Sequence, residues 1–406
     1  MAFDSQRPCL SYKMKHHREN IVHKFGHGCV AIVIVGCALA AACTQQTKSI
    51  GPKFSGRLLF LAGENPNGAD LFELSAASDG SGYNSSQVTS GVFEAAPNPD
   101  RSQLLYTTKD EILLRDLRNG AVKSVVKGEN FCLAWSPDGS HFSYRQKSPN
   151  DERAPLGESG ARTKLYVSDV DGKSKLIWQD LTATYAANSP GQSAAIERAA
   201  AASGCPQWIA RDRLIFDRFL GASPKQSGEV LKPNTTTIAT LSDPVKLSDT
   251  DRTLAVEAIC QAGSDAVLRP HDEAQPLSMA RNLDQMKSLH PTPVSCSGCR
   301  FVGFAAQSCV PFFIEDTTST SSELFYLNPT NWQRQRGTHI GQTFSLNAKM
   351  LIKSSARLMI VGDAPASLLL IDTESGEAVP LFAKPSDPPA SDGRLLFPIP
   401  VVWIEK

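Results

Sequence analysis

Apolar residues occur along this chain in short runs set apart by clusters of Gly, Pro, Asn, Asp and Ser. Such spacing predicts short strands joined by tight turns. The clearest stretch runs Ala134-Trp135-Ser136-Pro137-Asp138-Gly139-Ser140-His141-Phe142-Ser143-Tyr144. Pro137 presets φ, Asp138 caps its own backbone and Gly139 supplies positive φ, so these three make a hairpin turn. Residues 164–172 and 175–178 read as two more strands around an Asp171-Gly172 turn. Four short strands and three turns then form one antiparallel sheet.

Weaker copies of this unit flank it. Residues 96–106 repeat it 38 residues upstream, with Pro97 in place of the Trp and Arg101 in place of the Gly. Residues 208–216 repeat it 73 residues downstream of Trp135, and residues 344–352 are a degenerate copy. Each is followed by a second apolar strand, at 112–114, 237–239 and 368–372. Two more strand pairs, 58–61 with 70–74 and 311–314 with 323–327, lack a Trp-type start. The count is six units.

WSPDG followed by LYVSDVDG resembles the repeat of TolB-like β-propellers, shared with the propeller domains of prolyl oligopeptidase-like peptidases. The resemblance covers residues 56–406 and implies an all-β, six-bladed propeller with four antiparallel strands per blade. It gives Trp135 a place between blades and makes Pro137, Asp138 and Gly139 the structural repeat turn. No catalytic role comes with it. Asp169 and Asp171 offer only two carboxylates before Gly172 and no Glu at the far end, so they read as a hairpin and not a calcium loop.

Insertions at 182–203 and 221–300 interrupt the repeats. Residues 188–204 are Ala-rich, which predicts a helix started by Ser189-Pro190 and stopped by Gly204. Residues 242–295 are polar and poorly periodic, with a short helix expected over 277–289. Insertions in propellers lie on the rims, where function usually sits. The closing run Pro400-Val401-Val402-Trp403-Ile404 is expected to return to the first blade and close the ring. A rival is residues 393–397, whose GRLLF repeats residues 56–60 and would open a last partial blade.

The first 24 residues carry Arg7, Lys13, Lys15, Arg18 and Lys24 against Asp4 and Glu19. An apolar stretch follows and ends at Ala40-Ala41-Ala42-Cys43. It is shorter than the about 20 residues a membrane span needs and fits a signal-peptide core. The pattern resembles a bacterial lipoprotein lipobox, with residues 1–42 as signal peptide, Cys43 as the lipidated residue and 43–55 as linker. Leu39 stands one step further out than the lipobox prefers. Cys37, after Ile34-Val35-Gly36, is a second candidate, and an uncleaved anchor is the remaining alternative. Met14 as the start would leave a shorter leader, MKHHRENIVHK.

Composition narrows the class. At 41% apolar and 20% charged residues, global disorder is excluded. The 28 Gly and 26 Pro fit a turn-rich all-β chain. With 41 basic and 41 acidic residues there is no basic surplus for nucleic acid.

Beyond the leader and Cys43, six cysteines remain: Cys132, Cys205, Cys260, Cys296, Cys299 and Cys309. An even number in an exported chain points to disulfides. Cys132 and Cys205 each stand three residues before a repeat Trp, on equivalent places of neighbouring units. They read either as a bridge or as two separate buried thiols. His290 with Cys296, Cys299 and Cys309 matches a Cys₃His zinc set, although export favours a disulfide-tied loop.

No G-x-S-x-G, no H-E-x-x-H and no glycine-rich phosphate loop occurs, so no cofactor is expected. The leading expectation is a non-catalytic, lipid-anchored envelope propeller on the periplasmic face of the outer membrane. It would bind an envelope protein or a cell-wall-associated ligand. Its alternative is a propeller hydrolase or lyase with a carboxylate or metal site in the central channel.

Overall fold

In a computed structural model, 29 strands among the described residues form seven antiparallel sheets. The structure describes residues 53–404 apart from 64–67, 78–81, 148–162, 186–195, 223–234, 251–253, 261–264, 271–275, 282, 284–290, 297, 306–307, 345–347, 353–355, 364–366 and 382–397. The expected Cys43 lipidation site and residues 393–397 lie outside them.

Each sheet is one blade. Blade 1 joins Arg57–Ala62, Ala69–Ala76 and Tyr83–Val92 to Ile399–Ile404, which supplies its innermost strand. Leu58 pairs with Trp403 and Leu59 with Val402, so the C-terminal strand closes the ring. Blades 2 and 3 span Glu94–Lys127 and Asn130–Gln179 with four strands each. Blade 4 has five strands between Leu181 and Thr250, because Leu181–Tyr185 pairs with the first part of a long strand, Ile196–Ala210. Blades 5, 6 and 7 span Leu254–Pro293, Arg300–Ile340 and Lys349–Pro380 with four strands each.

The ring therefore has seven blades where the repeats predict six. The added one is blade 5, built from Leu254–Ile259, Ala266–Pro270, Ser278–Ala280 and Thr292–Pro293. Its third and fourth strands are only three and two residues long. Too few positions remain to write a period, and no Trp or Pro-Asp-Gly marks its start. The two expected helices are also absent among the described residues. Ser278–Ala280 is a strand, and residues 196–204 belong to the strand Ile196–Ala210. Alanine's preference for helix is worth only tenths of a kcal/mol per residue, and cross-strand pairing of Ala199–Ser203 with Asp217–Gly221 overrides it.

The buried apolar residues form seven clusters, one at each interface between neighbouring blades. Alternation along the strands produces this. In blade 1, Leu58 and Phe60 pack toward blade 7, whereas Leu59 and Leu61 pack toward blade 2. In blade 6, Phe312 and Ile314 face blade 7 and Phe313 faces blade 5. Both faces of a blade are buried, which is why its strands read as unbroken apolar runs.

Candidate functional site

In an up-and-down blade the first and third turns open on one face of the ring, and the second turn opens on the other. The Trp135 turn lies on the first face. Trp135 is buried and donates its indole N–H to the carbonyl of Ala96 in blade 2, at 2.9 Å. Asp138 accepts from the Ser136 hydroxyl at 2.7 Å and from Ser140 N at 3.1 Å, and pairs with Arg211 of blade 4 at 2.8 Å. Burial pushes its carboxyl up, but these hydrogen bonds and the Arg211 charge outweigh it and hold the group below the usual carboxylate range. Gly139 takes φ 69°, and its N–H closes the turn on Ser136 O at 2.9 Å. Arg101, in the glycine place of blade 2, takes φ 59° and donates to Trp403 O at 3.0 Å. The turn survives a side chain there because that chain is tied to the closing strand.

Cys132 and Cys205 are joined on the innermost strands of blades 3 and 4, with Cα atoms 5.0 Å apart. The pairing register slips at both places, between Phe131 and Ala134 and between Ser203 and Gln207, and Cys132 has φ 61°. These bulges turn two side chains toward each other that regular strands would keep apart. Cys260 is joined to Cys309 across blades 5 and 6, Cα atoms 5.5 Å apart, and Cys296 to Cys299. Cys309 thus pairs with a cysteine that stands outside the expected zinc set, and His290 lies outside the described residues. Among the described residues no three His, Cys, Asp or Glu side chains come together around a metal-sized space.

Two carboxylates with described side chains lie on first strands of their blades. Glu94 of blade 2 accepts from Leu133 N at 3.0 Å, and Glu257 of blade 5 holds Arg269 by two bonds of 2.7 and 2.9 Å.

A concavity lies on the first face, between blades 6 and 7. It is an open cleft of about 860 Å³. Val310, Phe312 and Ala356 give it an apolar floor, and Tyr326, packed on Phe312 with ring centroids 5.6 Å apart, stands 39% exposed on its wall. Arg336, His339, Arg357 and Glu374 are on its rim. Arg357 leans on Asp372 at 3.4 Å and Glu374 at 3.9 Å. Arg336 and His339 have no side-chain partner among the described residues.

The cleft is rigidly framed. Thr338 of blade 6 donates to Thr373 O of blade 7 at 2.6 Å, and Thr373 donates to Ala356 O at 2.7 Å. Gly376 in the third turn of blade 7 has φ 75°, and a Cβ there would strike the carbonyl of His339. Behind the wall, Arg334 bonds Glu315 at 2.8 Å and Glu323 at 2.9 Å and lies 3.8 Å over the Phe325 ring. Burial works against its charge, but the two carboxylates win and hold the guanidinium more firmly protonated than usual. Arg336, two residues on and just before the strand Thr338–Ile340, lines the cleft. Little in the residue pattern marks this site. Its members come from two blades and are turn and strand positions, polar and apolar, with no shared spacing.

No family model matches the chain, and no curated protein matches it. Among solved structures it is similar to an acylaminoacyl peptidase from Pyrococcus horikoshii, with TM-score 0.49 and 11% identity over 81% of this chain and 50% of that one. It is also similar to an oligogalacturonate lyase in complex with manganese, with TM-score 0.48 and 12% identity over 80% and 85%. TolB from Acinetobacter baumannii gives TM-score 0.38 and 14% identity over 92% and 69%. The chain spans about half the length of the peptidase.

Proposed function

We propose that the chain is a lipid-anchored propeller of the bacterial envelope, tethered through Cys43 after removal of residues 1–42. On this reading it sits on the periplasmic face of the outer membrane. It binds an envelope protein or a cell-wall-associated ligand without chemical turnover. The observation that carries the binding role is the cleft between blades 6 and 7. An exposed tyrosine over an apolar floor gives contact area at low entropy cost. Arg336 and His339 beside it are donors with no side-chain partner among the described residues, which suits a partner segment bearing carboxylates.

The test is site-specific crosslinking of the full chain in bacterial cells. A photoreactive residue replaces Tyr326, with Leu247 on blade 4, 41% exposed, as the control position. The expected result is a discrete adduct from position 326 and none from 247. Arg336→Glu should abolish it, and Cys43→Ser should block lipid labelling and reduce it. Equal adducts from both positions, or none from 326 in lipidated protein, would overturn the reading.

A further inference from the structure

Away from that cleft, the interface between blades 3 and 4 holds a stacked Arg–Trp pair with two buried donors. Trp178 lies on the outermost strand of blade 3, Ser174–Gln179, and Arg218 on the third strand of blade 4, Arg213–Ala222. The Arg218 guanidinium carbon is 4.6 Å from the Trp178 ring centroid. Arg218 is nine-tenths buried, with one amino nitrogen paired to Asp249. Its Nε and the indole Nε1 of Trp178 are both buried donors, and neither has an acceptor among the described residues.

A second buried cation stands in the same cross-strand row. Leu165 pairs with Trp178 on one side and with Arg145 on the other. Side chains directly opposite one another share a sheet face, so Arg145 and Trp178 both look toward blade 4. Arg145 stacks over Phe131 at 5.2 Å and bonds the Thr163 hydroxyl at 2.5 Å. Its carboxylate, Asp180, is 3.8 Å away and is already taken by Thr163 N at 3.0 Å and Thr163 Oγ1 at 2.7 Å.

Two guanidinium groups are nine-tenths buried. Among the described residues, Asp180 beside Arg145 is buried and shared with Thr163, whereas Asp249 beside Arg218 is half exposed and shared with Thr237 at 3.0 Å. Water screens a half-exposed carboxylate, so it compensates a buried cation poorly. An orphaned buried donor loses its hydrogen bonds to water without replacement, and such groups in native proteins call for an explanation. The buried side of the Arg218–Trp178 stack lacks an acceptor among the described residues.

We propose that this Arg218–Trp178 pair is a binding site for a carboxylate group, received by Arg218 Nε–H and the Trp178 indole N–H together. Arg145 adds positive potential from the same face, and the flat Trp178 ring and Phe131 supply apolar surface for the ligand's body. Asp249, at the solvent side, competes with the ligand for Arg218.

The indole N–H is itself the reporter. With ¹⁵N-labelled tryptophan the full chain shows one indole cross-peak for each of its five tryptophans, and Trp178→Phe identifies the one that matters. Titration uses acetate, with acetamide as its neutral isostere. Acetate should move the Trp178 peak saturably and leave the other four in place, and acetamide should act at least tenfold more weakly. Arg218→Lys, which keeps a charge but loses Nε, should weaken acetate at least tenfold. Asp249→Asn should tighten it several-fold, which a merely structural role for this pair would not do. If Arg218→Lys does not fold, the Asp249→Asn titration decides. A Trp178 peak that ignores acetate, or that answers acetamide equally, overturns the proposal.

Discussion

Trp208 donates its indole N–H to the carbonyl of Ala134 at 3.0 Å. Trp135, the residue after Ala134, does the same to Ala96 at 2.9 Å. The repeat tryptophan is thus a rivet: its ring fills the interface behind it and its one donor satisfies a carbonyl of the previous blade. Trp208→Phe keeps most of the ring and loses the bond, so it should cost about 1–2 kcal/mol. Trp208→Ala should cost about 3–5 kcal/mol. Denaturant midpoints at fixed slope measure both.

The Cys132–Cys205 bridge closes a loop with a sequence separation of 73. Chain-entropy arguments for a loop of that length give about 4 kcal/mol, and measured bridges commonly return about 2–4 kcal/mol. The Cys132→Ser, Cys205→Ser double variant should therefore unfold at clearly lower urea, and reductant should do the same to the parent protein. Alkylation without reductant should find these two thiols blocked.

Acid should loosen the turns first. The Ser102 hydroxyl on Asp100, the Arg118 amide on Asp116 and the Lys173 amide on Asp169 hold these carboxyls below their ordinary value. Asp138 and Asp372 are pushed up by burial but pulled further down by their hydrogen bonds and by Arg211 and Arg357. A carboxyl lowered in the folded state stabilises it above the unfolded pKa, near 3.8. That stability is lost as pH falls through the folded pKa. Urea midpoints should hold from pH 7 to about 5 and then fall below about pH 4. Asp138→Asn should lower the midpoint at pH 7 and flatten the acid limb.

Deleting residues 398–406 removes the strand that pairs with Arg57–Ala62, and with it the buried Val402 and Trp403. Each large side chain fully buried is worth about 1.5–3 kcal/mol, and the bared strand becomes an open apolar edge. The truncated protein should melt far lower or precipitate. One that melts like the parent would show that residues 399–404 do not latch the ring.

Much of this fold was legible where a repeat carries its own chemistry. Pro137-Asp138-Gly139 announces a turn because each residue has a backbone reason to be there, and Arg101 betrays the same turn by register alone. Blade 5 was not legible, because two of its strands are too short to show a period. The strand Ile196–Ala210 misled for the opposite reason: alanines favour helix locally, and only pairing with a distant strand decides otherwise. The pairing of Cys132 with Cys205 turned on bulges that no residue pattern marks. The cleft around Tyr326 and Arg336 is assembled from two blades, so its members share a surface and not a spacing.

Because Ser55 receives the indole N–H of Trp403, 348 residues further on, the first blade is the last to be finished. A ribosome adding about 5–20 residues per second needs roughly 20–70 s to travel that far. Until residues 399–404 arrive, a hairpin of Arg57–Ala62 with Ala69–Ala76 lacks its inner neighbour. Synthesis therefore leaves a timed vulnerability, in which a sticky edge must be kept from other chains until the tail arrives.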